Sequence, residues 1–333
     1  MNAAVVGYGT MGKLFAGLLS GMEGVRLAAI CSSSPATERE AEKLGARWYA
    51  DYREMLERGA ELDAVVLALP TDLHREYAVA AARKGLHVIC EKPLALTVDD
   101  AIAMVEECNR HGVRLFAGHV LRFFPEYASM ANRVKAGEIG PVGLARAKRY
   151  TVHPKADAWF ADESRSGGVV MDLMIHDIDW MRSMLGEATS VYADVRRSPG
   201  LQCASAAIRF ECGAIATLEA MWGYPGPFEA AAEAAGAGGL LRTDGPPDPT
   251  SAARPASAGS AGAEGVAIPG SAAGADPYRL ELEHFVRCIR TGEEPIVGAW
   301  DGVAAVALAC AALESARTGR PVVPKAYASM PGH

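Results

Sequence analysis

Three groups of residues in this chain have types and spacings that chemistry can use. Gly7-Tyr8-Gly9-Thr10-Met11-Gly12 is a G-x-G-x-x-G run set after a short apolar segment and before a helical pattern. In that context the first glycine permits a tight turn, the second lets backbone approach a pyrophosphate, and the third lets helix pack closely on strand. The helix N-terminus then offers free N–H groups and a positive dipole end to the phosphates. Cys31-Ser32-Ser33-Ser34 stands where a carboxylate would hold the adenosine ribose of NAD. Hydroxyls of Ser32 and Ser33 can instead donate to a 2′-phosphate, and Arg39 can add charge, so the run leans toward NADP or dual use. The same serines also suit the start of the next helix. Finally, Asp172 and His176 lie four apart on a predicted helix and share a face. A histidine with an ordinary pKa near ~6.5 exchanges protons around neutrality. A metal set from His176, Asp177 and Asp179 fails because Asp177 turns away from His176 on a helix, so no metal is expected.

The hydrophobic pattern supplies elements to hold these groups. Through the first hundred-odd residues, apolar runs at 3–6, 25–31, 63–69, 86–90 and 113–117 alternate with helical patterns at 11–22, 37–44, 73–84 and 98–111. The 63–69 run, DAVVLAL, is almost continuously apolar, as a strand buried on both faces must be. This rhythm predicts a Rossmann-type, doubly wound parallel sheet with right-handed crossovers. From about Pro141 the pattern changes to long alternating strands at 142–150, 191–197, 204–210 and 214–222, interrupted by one helix over 169–185. That predicts an α+β domain on an open, mainly antiparallel sheet. Ala, Gly, Ser and Pro dominate from 234, most densely over 245–276, which predicts a flexible excursion between edge strands. Helices resume at Pro277 and over 301–318. The expected division is a dinucleotide-binding domain over 1–123 and a substrate-binding and oligomerisation domain over 124–333.

Composition narrows the function further. The chain has 333 residues, 50% of them hydrophobic and 22% charged, which is ample for two cores and too apolar for disorder. Lys and Arg total 33 against 40 Asp and Glu, a net charge of −7, and no long basic run appears. A nucleic-acid or anionic-membrane surface is therefore not expected. The seven cysteines are scattered without a CxxC pair, so neither a disulfide framework nor a structural zinc site is expected. With no leader pattern and no stretch of ~18 uninterrupted apolar residues, the expected compartment is a reducing cytoplasm.

Further residues carry a family resemblance. Glu91-Lys92-Pro93 follows the 86–90 strand. Downstream come Gly118-His119-Val120-Leu121-Arg122-Phe123-Phe124-Pro125, Trp159-Phe160, and Arg165-Ser166-Gly167-Gly168 leading through Asp172 and His176 to Asp179. In that order, behind the glycine run, the chain resembles the glucose–fructose oxidoreductase / inositol dehydrogenase / rhizopine-catabolism family of NAD(P)-dependent oxidoreductases. The resemblance runs through DPYRLELEHFVRCIRTGEEP and LESARTGRPV near the end. It implies hydride transfer between nicotinamide and a secondary alcohol or ketone of a sugar, cyclitol or related polyol. It also implies a homodimer or homotetramer assembled through the C-terminal sheet.

Carried over residue by residue, Lys92, Asp172 and His176 fall on the family's catalytic lysine, aspartate and histidine. His176 is then the general acid/base, Lys92 holds the substrate oxygen, and Asp172 orients hydroxyls. The Lys92–Pro93 bond is often cis in the family. Leu69, Pro70, Thr71 and His74 resemble the loop under the nicotinamide ribose, although His74 can equally cap its own helix. Glu91, Lys92 and Pro93 count with the cofactor set, as do Arg122, Trp159 and Arg165, for each of which packing is the competing role. His153 has no assignment. Two rival functions stand beside this one: a non-catalytic, redox-responsive NAD(P)-binding regulator, and a reductase of a non-sugar substrate such as a dihydrodiol.

Overall fold

The apolar runs of the N-terminal third become strands β1 (Asn2–Val6), β2 (Arg26–Cys31), β3 (Arg47–Tyr49), β4 (Ala64–Leu67), β5 (His87–Glu91) and β6 (Leu115–Gly118) in a computed structural model that describes residues 1–58, 61–243 and 276–325. They pair in parallel in the order β3-β2-β1-β4-β5-β6. Helices α1 (Thr10–Ser20), α2 (Thr37–Lys43), α3 (Tyr52–Arg58), α4 (His74–Arg83) and α5 (Val98–Arg110) make the connections. Every residue of β4 and β6 is buried, as sheets covered on both faces require. Strand order reverses between β1 and β4, the place where doubly wound sheets bind ligands. The expected Rossmann architecture is present. It also contains β3 and α3, which are too short and too polar to stand out in the pattern.

This first unit comprises residues 1–119 together with 278–303. Helix α9 (Pro277–Thr291) supplies the return, because its buried Leu282, Phe285 and Val286 form an apolar face. Phe285 lies 4.8 Å from Phe116 of β6, and Tyr278 meets Phe15 of α1 edge-on at 6.5 Å. The division therefore differs from a single cut near residue 123.

The second unit holds a mixed sheet of β7 (Val142–Thr151), β8 (Ala188–Ser198), β9 (Leu201–Phe210), β10 (Ile215–Trp222), β11 (Glu229–Gly236) and β12 (Gly239–Arg242). Its order is β12-β11-β7-β10-β9-β8, antiparallel except for the β7/β10 pair. The turn between β9 and β10 closes through Gly213 at φ +90°, whose N–H donates to the Phe210 carbonyl. One sheet face is buried and rich in alanine (Ala145, Ala147, Ala206, Ala216, Ala220, Ala232), which lets helices approach closely. The other face alternates half-exposed and exposed side chains. Strands β11 and β12 occupy the beginning of the segment expected to be an excursion; most of that excursion, 245–275, lies outside the described residues.

Helices α6 (Pro125–Lys135), α7 (Glu163–Ser166) and α8 (Ile175–Leu185), with most of α10 (Ala299–Thr318), belong to this unit. Helix α10 has the length and apolar composition of a membrane span, yet most of it is buried inside the protein, the pattern of a core helix. Ser315 ties it to the sheet by accepting from the Ala193 N–H at 3.0 Å.

Candidate active site

The cofactor-directed groups expected in the first unit lie past the carboxyl ends of strands: Gly7 to Gly12 after β1, Ser32 and Ser33 after β2, Leu69 to Thr71 after β4, and Glu91 to Pro93 at the end of β5. Two of the three glycines answer to space within the protein. Gly7 sits at φ +90° with its N–H on the Cys31 carbonyl at 2.9 Å, and a Cβ there would lie 2.2 Å from the Ala68 oxygen. A Cβ on Gly12 would lie 2.0 Å from the Gly7 oxygen. Gly9 differs, since beyond its own chain neighbours nothing described lies within 4 Å of the place its Cβ would take. Gly9 is also the N-cap of α1, with no side-chain capping bond and no acid in the first turn. Open space over an uncapped helix start, beside two glycines that bring the backbone close, fits a pyrophosphate. Tyr8, Thr10 and Met11 are half-buried along this run. Burial and the nearby Glu40 carboxylate raise the Tyr8 pKa above its ordinary value.

The serine run does two jobs. Ser32 Oγ accepts from the Thr37 hydroxyl at 3.1 Å and the Ser34 N–H at 3.3 Å, fixing the entry to α2. Ser33, Ser34 and Arg39 are exposed.

His74 neither caps its helix nor reaches outward. It is buried at 1% exposure, with Nδ1 2.8 Å from the Pro93 carbonyl and Nε2 2.9 Å from the Leu69 carbonyl. It therefore bridges the loop after β4 to the loop after β5. Burial pushes its pKa down from the ordinary value, while the two carbonyls pull the other way. Thr71 and Pro93 are buried beside it, whereas Leu69, Pro70, Glu91 and Lys92 are half-exposed. Lys92 donates its backbone N–H to Glu91 Oε2 at 3.1 Å, and its bond to Pro93 is cis, as the resemblance implies. Gly302 in the first turn of α10 closes on this loop; a Cβ there would come within 2.5 Å of Leu94 Cδ1 and 2.8 Å of Ala117 Cβ.

In the second unit, the helix expected over 169–185 opens with a wide π turn at Val170–Met174 and continues as α8. Such turns are concentrated at functional sites. Gly167 and Gly168 feed it at φ +73° and +69°, conformations that other residues rarely adopt. Gln202 on β9 locks the turn: its Oε1 accepts from the Val169 N–H at 3.3 Å, and its Nε2 donates to Glu163 at 2.8 Å. From Val169 to Met181 every residue is buried except Asp172 and His176, which are half-exposed.

Three further residues assigned to the cofactor set lie in this unit. Arg122 pairs with buried Asp179 of α8, Nε to Oδ2 at 2.8 Å and Nη2 to Oδ1 at 2.5 Å, and its side chain is only 9% exposed. Trp159 stacks on Phe160 at 3.9 Å, and both are half-buried, as is Arg165 on α7. Arg149 on β7 pairs with Asp177 of α8 through two 2.9 Å bonds, both residues buried. Burial opposes the Arg149 charge, but the Asp177 carboxylate more than offsets it and raises the guanidinium pKa. Sequence reasoning passed over Arg149 and Gln202. The available signal was a polar residue at an inward-facing position of an alternating strand.

Among the described residues, one other cluster carries metal-type donors: His284, Cys288 and Glu293 within 4.8 Å of one another. Arg287 reaches into it, 2.7 Å from His284 Nδ1 and donating to Glu293 Oε1 at 2.7 Å, and the Ile296 N–H donates to His284 Nε2 at 2.8 Å. A guanidinium among the donors opposes a cation, so the cluster reads as a hydrogen-bond network at the end of α9.

A glycine-rich turn opening a helix on a doubly wound parallel sheet, in a chain whose second unit is built on a mixed sheet, is the architecture of a nicotinamide-dependent oxidoreductase. The N-terminal model of this class, described as an oxidoreductase family with an NAD-binding Rossmann fold, matches residues 1–119, and its C-terminal α/β domain matches residues 131–323. The chain belongs to the Gfo/Idh/MocA oxidoreductase family and is an NAD(P)-dependent enzyme of that family. It is 32% identical over 361 residues to scyllo-inositol 2-dehydrogenase (NAD(+)) of Bacillus subtilis, covering 99% of each chain. It is 31% identical to D-xylose 1-dehydrogenase (NADP(+)) 2 of Haloferax volcanii, covering 91% of this chain and 97% of that one. Among solved structures, GenD2 from gentamicin A biosynthesis in complex with NAD superposes with a TM-score of 0.86 at 26% identity, covering 98% of this chain and 97% of that one.

Proposed function

We propose that the protein interconverts a secondary alcohol and a ketone on a sugar, cyclitol or related polyol, with His176 as general acid/base. The observation that carries this reading is the pair of half-exposed polar side chains, Asp172 and His176, on an otherwise buried stretch of helix. When bound, the nicotinamide supplies the hydride acceptor or donor. His176 takes the hydroxyl proton in oxidation and returns it in reduction, a task suited to imidazole near neutral pH. Lys92 hydrogen-bonds the reacting oxygen and stabilises alkoxide charge. Asp172 accepts from substrate hydroxyls and orients the ring. The named activities of the inositol and xylose relatives support the substrate class.

The test is turnover of NAD(P)+ with myo-inositol, scyllo-inositol and D-xylose, and of NAD(P)H with the matching ketones. Loss of at least about 100-fold in kcat for both Lys92→Ala and His176→Ala is the expected result. Wild-type rates in both variants would point to a cofactor-binding regulator instead, and turnover of dihydrodiols alone would move the substrate outside the polyols. We also propose a preference for NADP, supported by the absence of a carboxylate at 32–34, and tested by titrating NADH against NADPH. Assembly through the open face of the second unit's sheet and residence in the cytoplasm complete the proposal. The first is supported by Tyr192, 48% exposed on that face, and the second by seven free cysteines. Sedimentation of the purified chain tests the assembly.

A further inference from the structure

We infer that Arg149 and Arg122 are positioning residues that set the rotation of the helix bearing Asp172 and His176. The inference rests on the proposed role of His176 only for its effect on turnover; the geometry stands without it. Successive α-helical side chains turn by roughly 100°, so Asp177 stands about 100° to one side of His176, and Asp179 about 60° to the other. Each carboxylate is gripped by two donors of a single arginine, and the two arginines arrive from different elements. Arg149 comes from the inward face of β7, while Arg122 comes from the single-turn 3₁₀ segment Val120–Phe123. A third polar anchor lies between them: Trp180 Nε1 donates to the Tyr127 carbonyl of α6 at 3.2 Å, and the two rings meet edge-on at 5.1 Å.

The reason for such anchoring lies one turn upstream. The π turn over Val170–Met174 departs from α-helical winding, so Asp172 and His176 do not keep the fixed offset of a straight α-helix. An apolar helix face slides and rotates at small cost, because dispersion and burial are non-directional. A planar guanidinium meeting a carboxylate through two bonds is directional and allows little rotation. Two such pairs flanking His176 fix where its imidazole points and how far it lies from Asp172. A helix needing only burial here would be served by leucines at 177 and 179.

The experiment uses the full-length chain with ¹⁵N-labelled histidine. Arg149→Met combined with Asp177→Leu removes one ion pair without leaving a lone buried charge, an exchange that tends to preserve stability. The expected result has three parts: a thermal midpoint and NAD(H) affinity close to wild type, a kcat lower by about tenfold or more on the polyol turned over fastest in the panel above, and a displaced pH titration of the His176 ring signal. Should that pair fail to fold, Asp177→Glu, which keeps both charges and lengthens the side chain by one methylene, must displace the His176 titration as well. A folded variant whose kcat stays within twofold of wild type and whose His176 titration superposes on wild type overturns the inference. If His176→Ala retains wild-type turnover, the proposed function fails, and the ring titration still decides the positioning by itself.

Discussion

The two units place their reactive side chains by different physics. In the first, close backbone packing and one buried ring between two backbone carbonyls do the positioning. Gly7 and Gly12 let a turn, a helix and a strand approach to distances no Cβ would allow, and the buried His74 ring stands between two loop carbonyls. In the second, the helix carrying Asp172 and His176 is gripped by two buried bidentate ion pairs. The contrast follows from what each must do. A pyrophosphate is recognised by main-chain N–H groups, so the scaffold there must bring backbone close and keep it open. The acid/base role proposed for His176 needs a side chain held at one rotation of its helix, which a directional contact fixes more tightly than apolar packing.

The largest effect should come from breaking the buried charge pair on one side only. Asp177→Ala leaves Arg149 buried and uncompensated and should cost about 3–5 kcal/mol in urea unfolding. A cost below about 1 kcal/mol would show that the pair is solvated in solution and would erase the contrast. The matching break in the first unit is Gly12→Ala, whose Cβ must displace the Gly7 carbonyl. NAD(H) titration should show binding weakened by about 100-fold, equivalent to about 2.7 kcal/mol. The His176 environment should be unchanged in that variant, since the insult is confined to the cradle.

Much of this was legible in the sequence, and the exceptions have physical causes. The parallel sheet announced itself through continuous apolar runs, and the glycine cradle through spacing and context. β11 did not, because EAAAEAAG is built from helix formers and becomes a strand only by pairing with β7, where Ala232 and Ala234 face the buried side. Arg122, just past a strand end, counts with the cofactor set or with packing by sequence alone, and its partner Asp179 lies 57 residues on, where no local pattern points to it. The bridge made by His74 was hidden for the same reason: its acceptors, 5 and 19 residues away, are backbone oxygens that have no sequence signature.

Acid should separate the units next. Burial lowers the pKa of His74, His87 and His284, which lie in the first unit. Burial disfavours the charged form of each ring in the folded state, whereas the unfolded chain protonates near ~6.5, so just below that value the unfolded chain binds more protons. The stability they contribute is present above pH ~6.5 and is lost as pH falls through and below it. Hydrogen exchange corrected for intrinsic rates should therefore accelerate more in residues 1–119 than in β7–β10 between pH 7.5 and 5.5. His74→Gln should flatten that difference, and equal acceleration in both units would refute the assignment of acid sensitivity to these rings.

The smallest effect tests whether charge matters in the second unit only where it is buried. Arg197 donates to Glu163 at 2.7 Å, but the two side chains are 44% and 37% exposed, and Glu163 keeps its bond from Gln202 without the arginine. Arg197→Ala should therefore cost no more than about 1 kcal/mol, because solvent screens the pair and holding two long side chains together costs entropy. Salt makes the distinction sharper. Screening reaches exposed charges and largely spares buried ones, so 1 M NaCl should shrink the Arg197→Ala deficit and leave the Asp177→Ala deficit nearly unchanged. If both deficits shrank alike, the grip on α8 would be a surface effect, and the two units would differ in composition but not in the physics that positions their residues.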